Sequence, residues 1–468
     1  MSLLDAFLAH ARARPDAPAL IAPSGNVTTY GDLARLSAGR AEGFASAGVG
    51  AGDVVLVARG VSPDLYATLL GLFRLGAVAM FPEPAAGLKG LAVAIDAARP
   101  KAMIGGAKVR ALRPFISALR QLPVLPEGEA STTPPVAISE NAPALITFTS
   151  GSTGRPKGIL RSDAFLMLQH KLLEDLRRTK PSDVDLITLP VFILSNLAAG
   201  AASVIAAGDL RKPAQLDGAR LRAQIVAHRV NRVVAPPAVC ARLAEGAPPM
   251  PQLEAIFTGG GPVFPNLLHA LKRFAPNAKI HAVYGSTEAE PIAHIDYDNI
   301  AEADWSAMQS GQGLLAGKPI AEIQIALRDG EIEVAGAHVN RGYLNPADDA
   351  STKITRDGVL WHKTGDAARR DAQGRLWLLG RKEAAQGELY PFAIETAALS
   401  WPGVTQAALL ASPEPARLAV AGVSLDVEDL KRRAIALGAV TLVVLSAIPM
   451  DKRHNSKIDY AALRRLLA

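Results

Sequence analysis

The chain has 468 residues, of which 49% are hydrophobic and 20% charged, and its formal net charge is +6. This is the composition of a globular protein, and the length favours more than one domain. Aromatic residues make up only 5%, so base-stacking surfaces are not expected and we predict no nucleic-acid partner. The single cysteine, Cys240, excludes an internal disulfide framework and a multi-cysteine metal site.

The first predicted element is an amphipathic helix with Leu3, Leu4, Phe7 and Leu8 on one face. It lacks the charged-then-apolar order of a signal peptide, so a cytoplasmic location is expected. Strand-like and helical segments then alternate, which is the pattern of a parallel sheet covered by helices. These segments lie at 52–59, 62–77, 77–82, 92–100 and 101–106.

A connector rich in Pro, Ser and Thr, residues 126–143, separates this series from a second series of strands. The second series lies at 144–149, 185–191, 232–237, 253–261 and 279–288. Each apolar run ends in glycine or polar residues. Because α/β sheets bind ligands in the loops at the carboxyl ends of their strands, functional residues are expected at these ends.

One segment, residues 186–208, carries no charge and is long enough to cross a membrane. Pro190, Ser195, Asn196 and Gly200 interrupt it near its middle. We therefore predict a buried strand at 186–191, a turn and a small-residue helix packed against a sheet, with no membrane span.

The pattern changes towards the C-terminus. Residues 310–380 contain strand-like runs separated by DG and QG turns. The prediction is an α/β protein whose N-terminal domain, residues 1–380, has parallel-rich sheets covered by helices plus a small β-subdomain. Residues 381–468 form a small α+β C-terminal domain, with the boundary near Lys382.

The stretch "TFTSGSTGRPKGIL", residues 147–160, follows a predicted strand and combines hydroxyl side chains, glycines and one lysine. Gly151 and Gly154 allow backbone N–H groups to converge on phosphate oxygens, and Lys157 adds positive charge. The Walker pattern is absent because Lys157 stands between proline and glycine, and no helix start is evident after the loop. The stretch is therefore either a phosphate-binding loop of another design or a polar turn.

Five motifs resemble, in their order along nearly the whole chain, those of the adenylate-forming superfamily of acyl-CoA synthetases and AMP ligases. They are "TFTSGSTGRPKG", "YGSTE" at 284–288, "KTGD" at 363–366, "GRK" at 380–382 and "RHNSKIDY" at 453–460. The resemblance implies an AMP-forming acid ligase that uses ATP and Mg²⁺ on a small-molecule carboxylic acid.

The resemblance also implies which residues bind the nucleotide. The first loop would grip the pyrophosphate part of ATP, and "FTGGGP" at 257–262 would pass beside adenine. The nucleotide-binding residues so implied are Thr149, Ser150, Gly151, Ser152, Thr153, Gly154, Lys157, Gly259, Gly260, Gly261, Tyr284, Gly285, Ser286, Asp366 and Arg381.

Individual roles follow for the residues with reactive side chains. The Tyr284 ring can lie on the adenine face, Thr287 can donate to the α-phosphate, and Glu288 can hold Mg²⁺. The Asp366 carboxylate can accept hydrogen bonds from both ribose hydroxyls, with Arg381 beside it. Taken alone, the motif with Tyr284, Thr287 and Glu288 is also typical of a strand end with a capping Thr and Glu. The Gly-Asp pair before and at Asp366 is also typical of a turn.

Lys457 matches the catalytic lysine of the family and would stabilise charge on the α-phosphate as pyrophosphate leaves. Taken alone, its surroundings are also typical of a solvated basic tail. Glu383 occupies the family's hinge position, where an aspartate is usual. The implied C-terminal domain is mobile and rotates about this hinge between two half-reactions.

Further short strings resemble the β-lactone synthetases of the bacterial olefin pathway: "AQGELYPFAIE", "DKRHNSKI" and "YGSTEAEPIA". That branch implies a 3-hydroxy fatty acid substrate and ring closure of the acyl-AMP. The alternatives are ligation to CoA, loading of an acyl carrier protein, and a nucleotide-binding homologue without activity. An acyl carrier protein or pathway enzymes are the possible protein partners. Phe192, Ile193 and Leu194 are candidates for an acyl pocket and equally for the core.

Overall fold

A computed structural model describes residues 1–139, 141–150, 156–411, 415–438, 441–451 and 457–467. The helices are α1 (Leu3–Ala13), α2 (Tyr30–Ser46), α3 (Pro63–Leu75), α4 (Gly87–Ala98), α5 (Ala107–Leu112), α6 (Ser117–Arg120), α7 (Asp163–Arg177), α8 (Val191–Ala199), α9 (Gly218–Ala227), α10 (Pro237–Ala244), α11 (Pro265–Phe274), α12 (Glu302–Gln309), α13 (Pro391–Ala398), α14 (Val427–Ala436) and α15 (Tyr460–Leu467).

The strands follow the same chain order. They are β1 (Pro18–Ile21), β2 (Val27–Thr29), β3 (Val54–Ala58), β4 (Val78–Phe81), β5 (Ala102–Gly105), β6 (Pro143–Ser150), β7 (Pro156–Ser162), β8 (Val184–Ile187), β9 (Ala202–Ile205), β10 (Arg232–Ala235), β11 (Ala255–Gly259), β12 (Lys279–Ser286), β13 (Ala289–Asp296), β14 (Leu314–Pro319), β15 (Gln324–Arg328), β16 (Glu331–Ala335), β17 (Lys353–Arg356), β18 (Val359–Arg370), β19 (Leu376–Arg381), β20 (Val404–Leu410), β21 (Arg417–Gly422) and β22 (Thr441–Val444).

The chain divides into two compact units. The first unit contains Met1–Leu210, Ala223–Asn231 and Asn340–Lys353, and the second contains Arg211–Arg222, Arg232–Val339 and Ile354–Ala468. The predicted boundary near Lys382 lies inside the second unit and remains a prediction.

The first unit contains two parallel-rich groups of strands. One sheet has the order β5–β3–β4–β6–β7, with β3, β4, β5 and β6 parallel. In the other group β8, β9 and β1 are parallel neighbours, and β2 pairs with β1 in the antiparallel sense. The helices that connect these strands carry apolar faces, and the predicted N-terminal helix is confirmed because Leu3, Leu4, Phe7 and Leu8 are all buried.

Local sequence signals determine where α3 begins and ends. The Ser62 side chain accepts a hydrogen bond from the Leu65 backbone, and Pro63 occupies the first helical turn. Both are favoured at helix N-termini because the first N–H groups have no partner within the helix. Gly76, in the left-handed region, terminates the helix.

The uncharged segment 186–208 forms two strands and one helix. Strand β8 ends at Ile187 and Val191 begins α8, so the predicted strand over 186–191 is too long by several residues. Pro190 has helical backbone angles and lies directly before α8, so the extended run does not continue to Val191. Strand β9 follows α8 and was not predicted. Within the part of the chain that the structure describes, no helix is long and apolar enough to cross a membrane.

The second unit combines a parallel and an antiparallel part. Strands β10, β11 and β12 are parallel, and β13, β14, β19, β18, β16 and β15 then continue in the antiparallel sense. The β-rich region predicted at 310–380 is therefore confirmed. Beyond it, β20, β21 and β22 form a separate three-stranded sheet that packs with α13 and α14. Strand β21 and helix α15 were not predicted.

Candidate active site

Two side chains of the second unit, Tyr284 and Arg381, meet at the carboxylate of Asp366. The Tyr284 hydroxyl donates to Asp366 Oδ2 at 2.8 Å, and Arg381 Nη1 lies 3.1 Å from Asp366 Oδ1. Arg381 Nη1 also donates to the Thr364 carbonyl at 2.9 Å. Burial, and then the Asp366 carboxylate, raise the pKa of Tyr284 well above its ordinary value, so the phenol stays a hydrogen-bond donor at neutral pH.

The sheet explains why these residues meet. Tyr284 lies near the carboxyl end of β12, and Asp366 and Arg381 are register partners in the antiparallel pair β18–β19. A carboxylate oxygen has two lone pairs, so each oxygen of Asp366 can accept another donor beside the one it already has. The group can therefore take a ligand with two neighbouring hydroxyls. The sequence assigned Tyr284 and Asp366 to separate parts of the nucleotide, and their hydrogen bond was not predicted.

Gly365 is required by the geometry of this group. Its φ is +74°, in the left-handed region that side chains rarely adopt. A Cβ atom at this position would lie 2.6 Å from Arg381 Nη2. The glycine of "KTGD" therefore allows the arginine to reach the neighbouring carboxylate.

Glu331 is a further acidic residue of this region that the sequence reasoning missed. It is buried on β16, and its Oε1 accepts a hydrogen bond from the Gly365 backbone at 3.1 Å. The ammonium groups of Lys363 and Lys382 lie 3.8 and 3.6 Å from its other oxygen. Glu331 thus joins the "KTGD" loop to the "GRK" segment.

The motif "YGSTE" ends β12 and begins a tight hairpin. Ser286 pairs with Ala289, so Thr287 and Glu288 form the turn between β12 and β13. Gly285 lies one residue before this pair. The Ser286 hydroxyl is buried and has no hydrogen-bond partner among the described residues. Because a buried hydroxyl without a partner is costly, this oxygen fits a role as a donor to a bound phosphate.

The glycine loop of "FTGGGP" begins at the end of β11. Gly259 is the last residue of that strand, and Gly260 and Gly261 follow it. A Cβ atom on Gly259 would lie 2.6 Å from the Val283 carbonyl of β12. The absence of a side chain therefore keeps these two strands close together directly before Tyr284.

In the first unit, the lysine-containing loop connects two antiparallel strands. Thr149 of β6 pairs with Lys157 of β7, and Ser150 pairs with Pro156. The remaining loop residues predicted to bind phosphate, Gly151, Ser152, Thr153 and Gly154, lie outside the described residues. Since β7 is a strand, this loop has no helix N-terminus behind it, unlike a Walker loop.

Lys157 is itself 8% exposed, which is unusual for a lysine. Its ammonium lies 5.1 Å from the centroid of the Tyr343 ring, within the range of a cation–π interaction. Tyr343 forms an isolated bridge with Ile159 of β7, and Lys353 lies 5.8 Å from the same ring centroid. Tyr343 was not among the predicted residues.

The three acyl-pocket candidates begin α8 in the first unit. Phe192, Ile193 and Leu194 are 8%, 0% and 6% exposed. The Phe192 ring lies 5.5 Å from the guanidinium carbon of Arg177. Burial of this extent is typical of core residues, and their contact with an acyl chain remains a prediction.

Lys457 lies in the second unit with its side chain exposed. Among the residues that the structure describes, no hydrogen bond or ion pair joins it to Tyr284, Asp366 or Arg381. Glu383 lies in a short helical turn, Lys382–Ala384, directly after β19. The predicted roles of both residues remain predictions.

The donor set suits a nucleotide with its metal ion. Glu288 supplies one carboxylate, and Mg²⁺ commonly binds through one or two carboxylates and the phosphates of its nucleotide. Within the described ranges, no cluster of three or more metal-ligating side chains is present.

Comparison with known proteins identifies the family of this chain. The sequence profile of the family described as AMP-binding enzyme matches residues 7–344. The chain is 30% identical to a protein of Stenotrophomonas maltophilia (strain K279a) called olefin beta-lactone synthetase, over 96% of this chain and 94% of that protein. A protein of the same name from Xanthomonas campestris pv. campestris is 29% identical, again over 96% and 94% of the two chains.

The fold is similar to that of a solved structure, the O-succinylbenzoate coenzyme A synthetase MenE of Bacillus subtilis in complex with ATP and magnesium. The TM-score is 0.79 at 21% identity, and 98% of this chain and 99% of that chain are covered. This likeness confirms the predicted fold class. Together with the profile match over residues 7–344, it leads to one conclusion: the chain belongs to the AMP-binding enzyme family, whose members include adenylate-forming ligases.

Proposed function

We propose that this protein activates a 3-hydroxy fatty acid with ATP and then closes the acyl-AMP to a β-lactone. The Tyr284–Asp366–Arg381 group carries the first part of this proposal, because it offers a ribose a carboxylate that a phenol and a guanidinium hold in place. The similarity to two olefin beta-lactone synthetases over 96% of the chain supports the second part.

In the second unit, the Asp366 carboxylate accepts the ribose hydroxyls and the Tyr284 ring lies on adenine beside Gly259, Gly260 and Gly261. Arg381 orients the carboxylate through its contact with Asp366 Oδ1 at 3.1 Å. Ser286 and Thr287 donate to phosphate oxygens through their hydroxyls, next to Gly285. This assignment gives the buried Ser286 hydroxyl a partner.

In the first unit, Lys157 binds the pyrophosphate part of ATP together with Thr149, Ser150 and the loop residues 151–154. Tyr343 holds the ammonium in place by its ring face. Glu288 is the carboxylate that would hold Mg²⁺. When bound, the metal neutralises phosphate charge and so favours attack by an anion.

The first half-reaction is an in-line displacement. A carboxylate oxygen of the fatty acid attacks the α-phosphorus of ATP, the bond to the bridging oxygen breaks, and pyrophosphate leaves. No nucleophile of the enzyme is needed. The protein contributes positioning and charge stabilisation, with Lys457 as the cation at the α-phosphate.

In the second half-reaction the substrate is its own nucleophile. The 3-hydroxyl oxygen attacks the acyl carbonyl carbon, the bond to the AMP oxygen breaks, and AMP leaves as the hydroxyl proton is released to solvent. Because the attacking group and the carbonyl belong to one molecule, the enzyme need only hold the chain bent. Phe192, Ile193 and Leu194 would supply apolar contacts for the acyl chain.

The two half-reactions require different surroundings of the α-phosphate. We propose that residues 381–468 rotate about Glu383 after adenylation, which withdraws Lys457. CoA, an acyl carrier protein or another pathway enzyme would enter at this stage if the acyl group were transferred and not cyclised.

The decisive experiment supplies a 3-hydroxy fatty acid, ATP and Mg²⁺ without CoA, and follows products by mass spectrometry. Lactone, AMP and pyrophosphate in equal amounts are expected. If acyl-AMP instead accumulates until CoA or an unloaded carrier protein is added, the second half-reaction is acyl transfer to a thiol and not lactonisation. A matched fatty acid without the 3-hydroxyl should stop at acyl-AMP.

Two variants test the adenylation site. K457A should slow pyrophosphate release strongly, and D366N should raise the KM for ATP about 10- to 100-fold because a charged acceptor of hydrogen bonds is lost. D298N is the matched control, since Asp298 is an exposed carboxylate of the same unit that pairs with Lys272 at 3.2 Å. Equal rates for K457A and the unaltered protein would contradict the proposed role of the lysine.

A further inference from the structure

A fully buried carboxyl group lies in the C-terminal part of the second unit. Glu395 of α13 is 0% exposed. Its Oε1 accepts hydrogen bonds from the Tyr460 hydroxyl at 2.6 Å and from the Leu409 backbone at 2.9 Å. Its Oε2 is buried and has no hydrogen-bond partner among the described residues.

Such a group is costly, because a carboxyl taken out of water must be compensated by hydrogen bonds. Ile394, its neighbour in the chain, and Leu409, whose backbone it binds, both belong to an apolar cluster, so an apolar residue of similar size would suit packing alone. Unlike an apolar residue, the carboxyl group forms hydrogen bonds with specific partners. Its two bonds join α13 to β20 and to the first residue of α15, 65 positions away in the chain.

The first residue of α15, Tyr460, follows Lys457 by three positions. The main chain of Lys457 forms two hydrogen bonds with Asp451. Asp451 N donates to the Lys457 carbonyl at 2.7 Å, and Lys457 N donates to Asp451 Oδ1 at 2.9 Å. Asp459 N donates to the Pro449 carbonyl at 2.9 Å. The backbone of the exposed lysine is thus bonded to Asp451, and the backbone of Asp459, directly before Tyr460, is bonded to Pro449.

We infer that Glu395 is a positioning residue for Lys457, acting through the Tyr460 hydroxyl during adenylation. The inference rests on the proposed role of Lys457. Its physical basis is that a long lysine side chain reaches a fixed point only as accurately as its backbone is held. The Asp451 clamp holds the lysine locally, and the Glu395–Tyr460 bond holds this segment against α13.

The test compares Y460F, E395Q and E395A in the full-length protein. Y460F removes only the hydroxyl, and E395Q retains an oxygen that can accept the same two hydrogen bonds. We expect Y460F and E395A to lower kcat for ATP–pyrophosphate exchange about tenfold, which is the rate factor that corresponds to the loss of one hydrogen bond. The kcat of E395Q should stay within about threefold of that of the unaltered protein. The matched control is Y297F, which removes a tyrosine hydroxyl bonded to His269 in the same unit.

Binding of ATP, measured by calorimetry, distinguishes positioning from folding. A positioning role predicts an unchanged dissociation constant for ATP with a reduced kcat. If Y460F retains the full exchange rate, or if ATP binding is lost in proportion to kcat, the inference is wrong. If K457A itself retains full exchange, the proposed function of Lys457 fails first; if K457A is slow and Y460F is not, only the positioning inference fails.

Discussion

The buried carboxyl of Glu395 should make the stability of the protein depend on pH in a recognisable way. Burial raises the pKa of Glu395 from 4.5 to about 7, against the smaller opposite effect of the hydrogen bonds from Tyr460 and Leu409. Between these two pH values the folded protein retains the proton and the unfolded chain has released it. The free energy of unfolding therefore falls as pH rises from about 4.5 to about 7.

The size of this effect follows from the interval between the two pKa values. At about 1.4 kcal/mol per pH unit, the interval corresponds to about 3 kcal/mol. The E395Q variant is neutral at every pH and lacks this dependence. The difference in unfolding free energy, unaltered protein minus E395Q, should decrease by about 3 kcal/mol between pH 4.5 and pH 7 and be constant above about pH 8.

Urea unfolding at constant ionic strength measures this difference, with tryptophan fluorescence as the signal. Trp401 is suited to it because it is buried in the same apolar cluster as Ile394, next to Glu395. The control is E428Q, since Glu428 is exposed and pairs with Lys431. If the free energies of unfolding of the unaltered protein and of E395Q change with pH in the same way, the reasoning is refuted. The pKa of Glu395 in the folded protein would then equal its ordinary value.

Two further substitutions test contacts of the candidate site. Y343L removes the ring beside Lys157, so the KM for ATP should rise about 2- to 30-fold in a pyrophosphate-release assay, whereas Y343F retains the ring face and should change it less than twofold. Equal effects of the two variants would exclude a cation–π contribution. G365A places a Cβ where φ is +74° and where Arg381 Nη2 would lie 2.6 Å away; we expect nucleotide affinity, measured by calorimetry, to fall at least tenfold, and unchanged affinity would show that the loop relaxes without disturbing Asp366.

Much of the fold follows from patterns that are local in the sequence. The apolar period of α1, the Ser62 cap and Pro63 start of α3, and the DG and QG turns of the β-rich region are each decided within a few residues. Such signals predicted these elements correctly. They failed where an element depends on a neighbour: β21 is a strand because it pairs with β20 and β22.

The candidate site divides in the same way. The sequence motifs predicted the types of residue that could bind a nucleotide, including Lys157, Tyr284 and Asp366. It could not predict that Tyr284 donates to Asp366, because 82 positions separate them and only the sheet register brings them together. Glu331 was missed for the same reason, since its function is visible only in the partners that β16 and β18 provide.

The sequence alone therefore determined the family, the order of the motifs and the chemical character of the groups proposed to bind a nucleotide, because these depend on residue types and short spacings. The tertiary structure decided which of these groups touch each other and which apparently ordinary residues hold them. Two such residues are Tyr343, whose ring contacts the Lys157 ammonium, and Glu395, which accepts a hydrogen bond from Tyr460. Their contacts arise from chain segments that are far apart in sequence, and burial gives those contacts their energy.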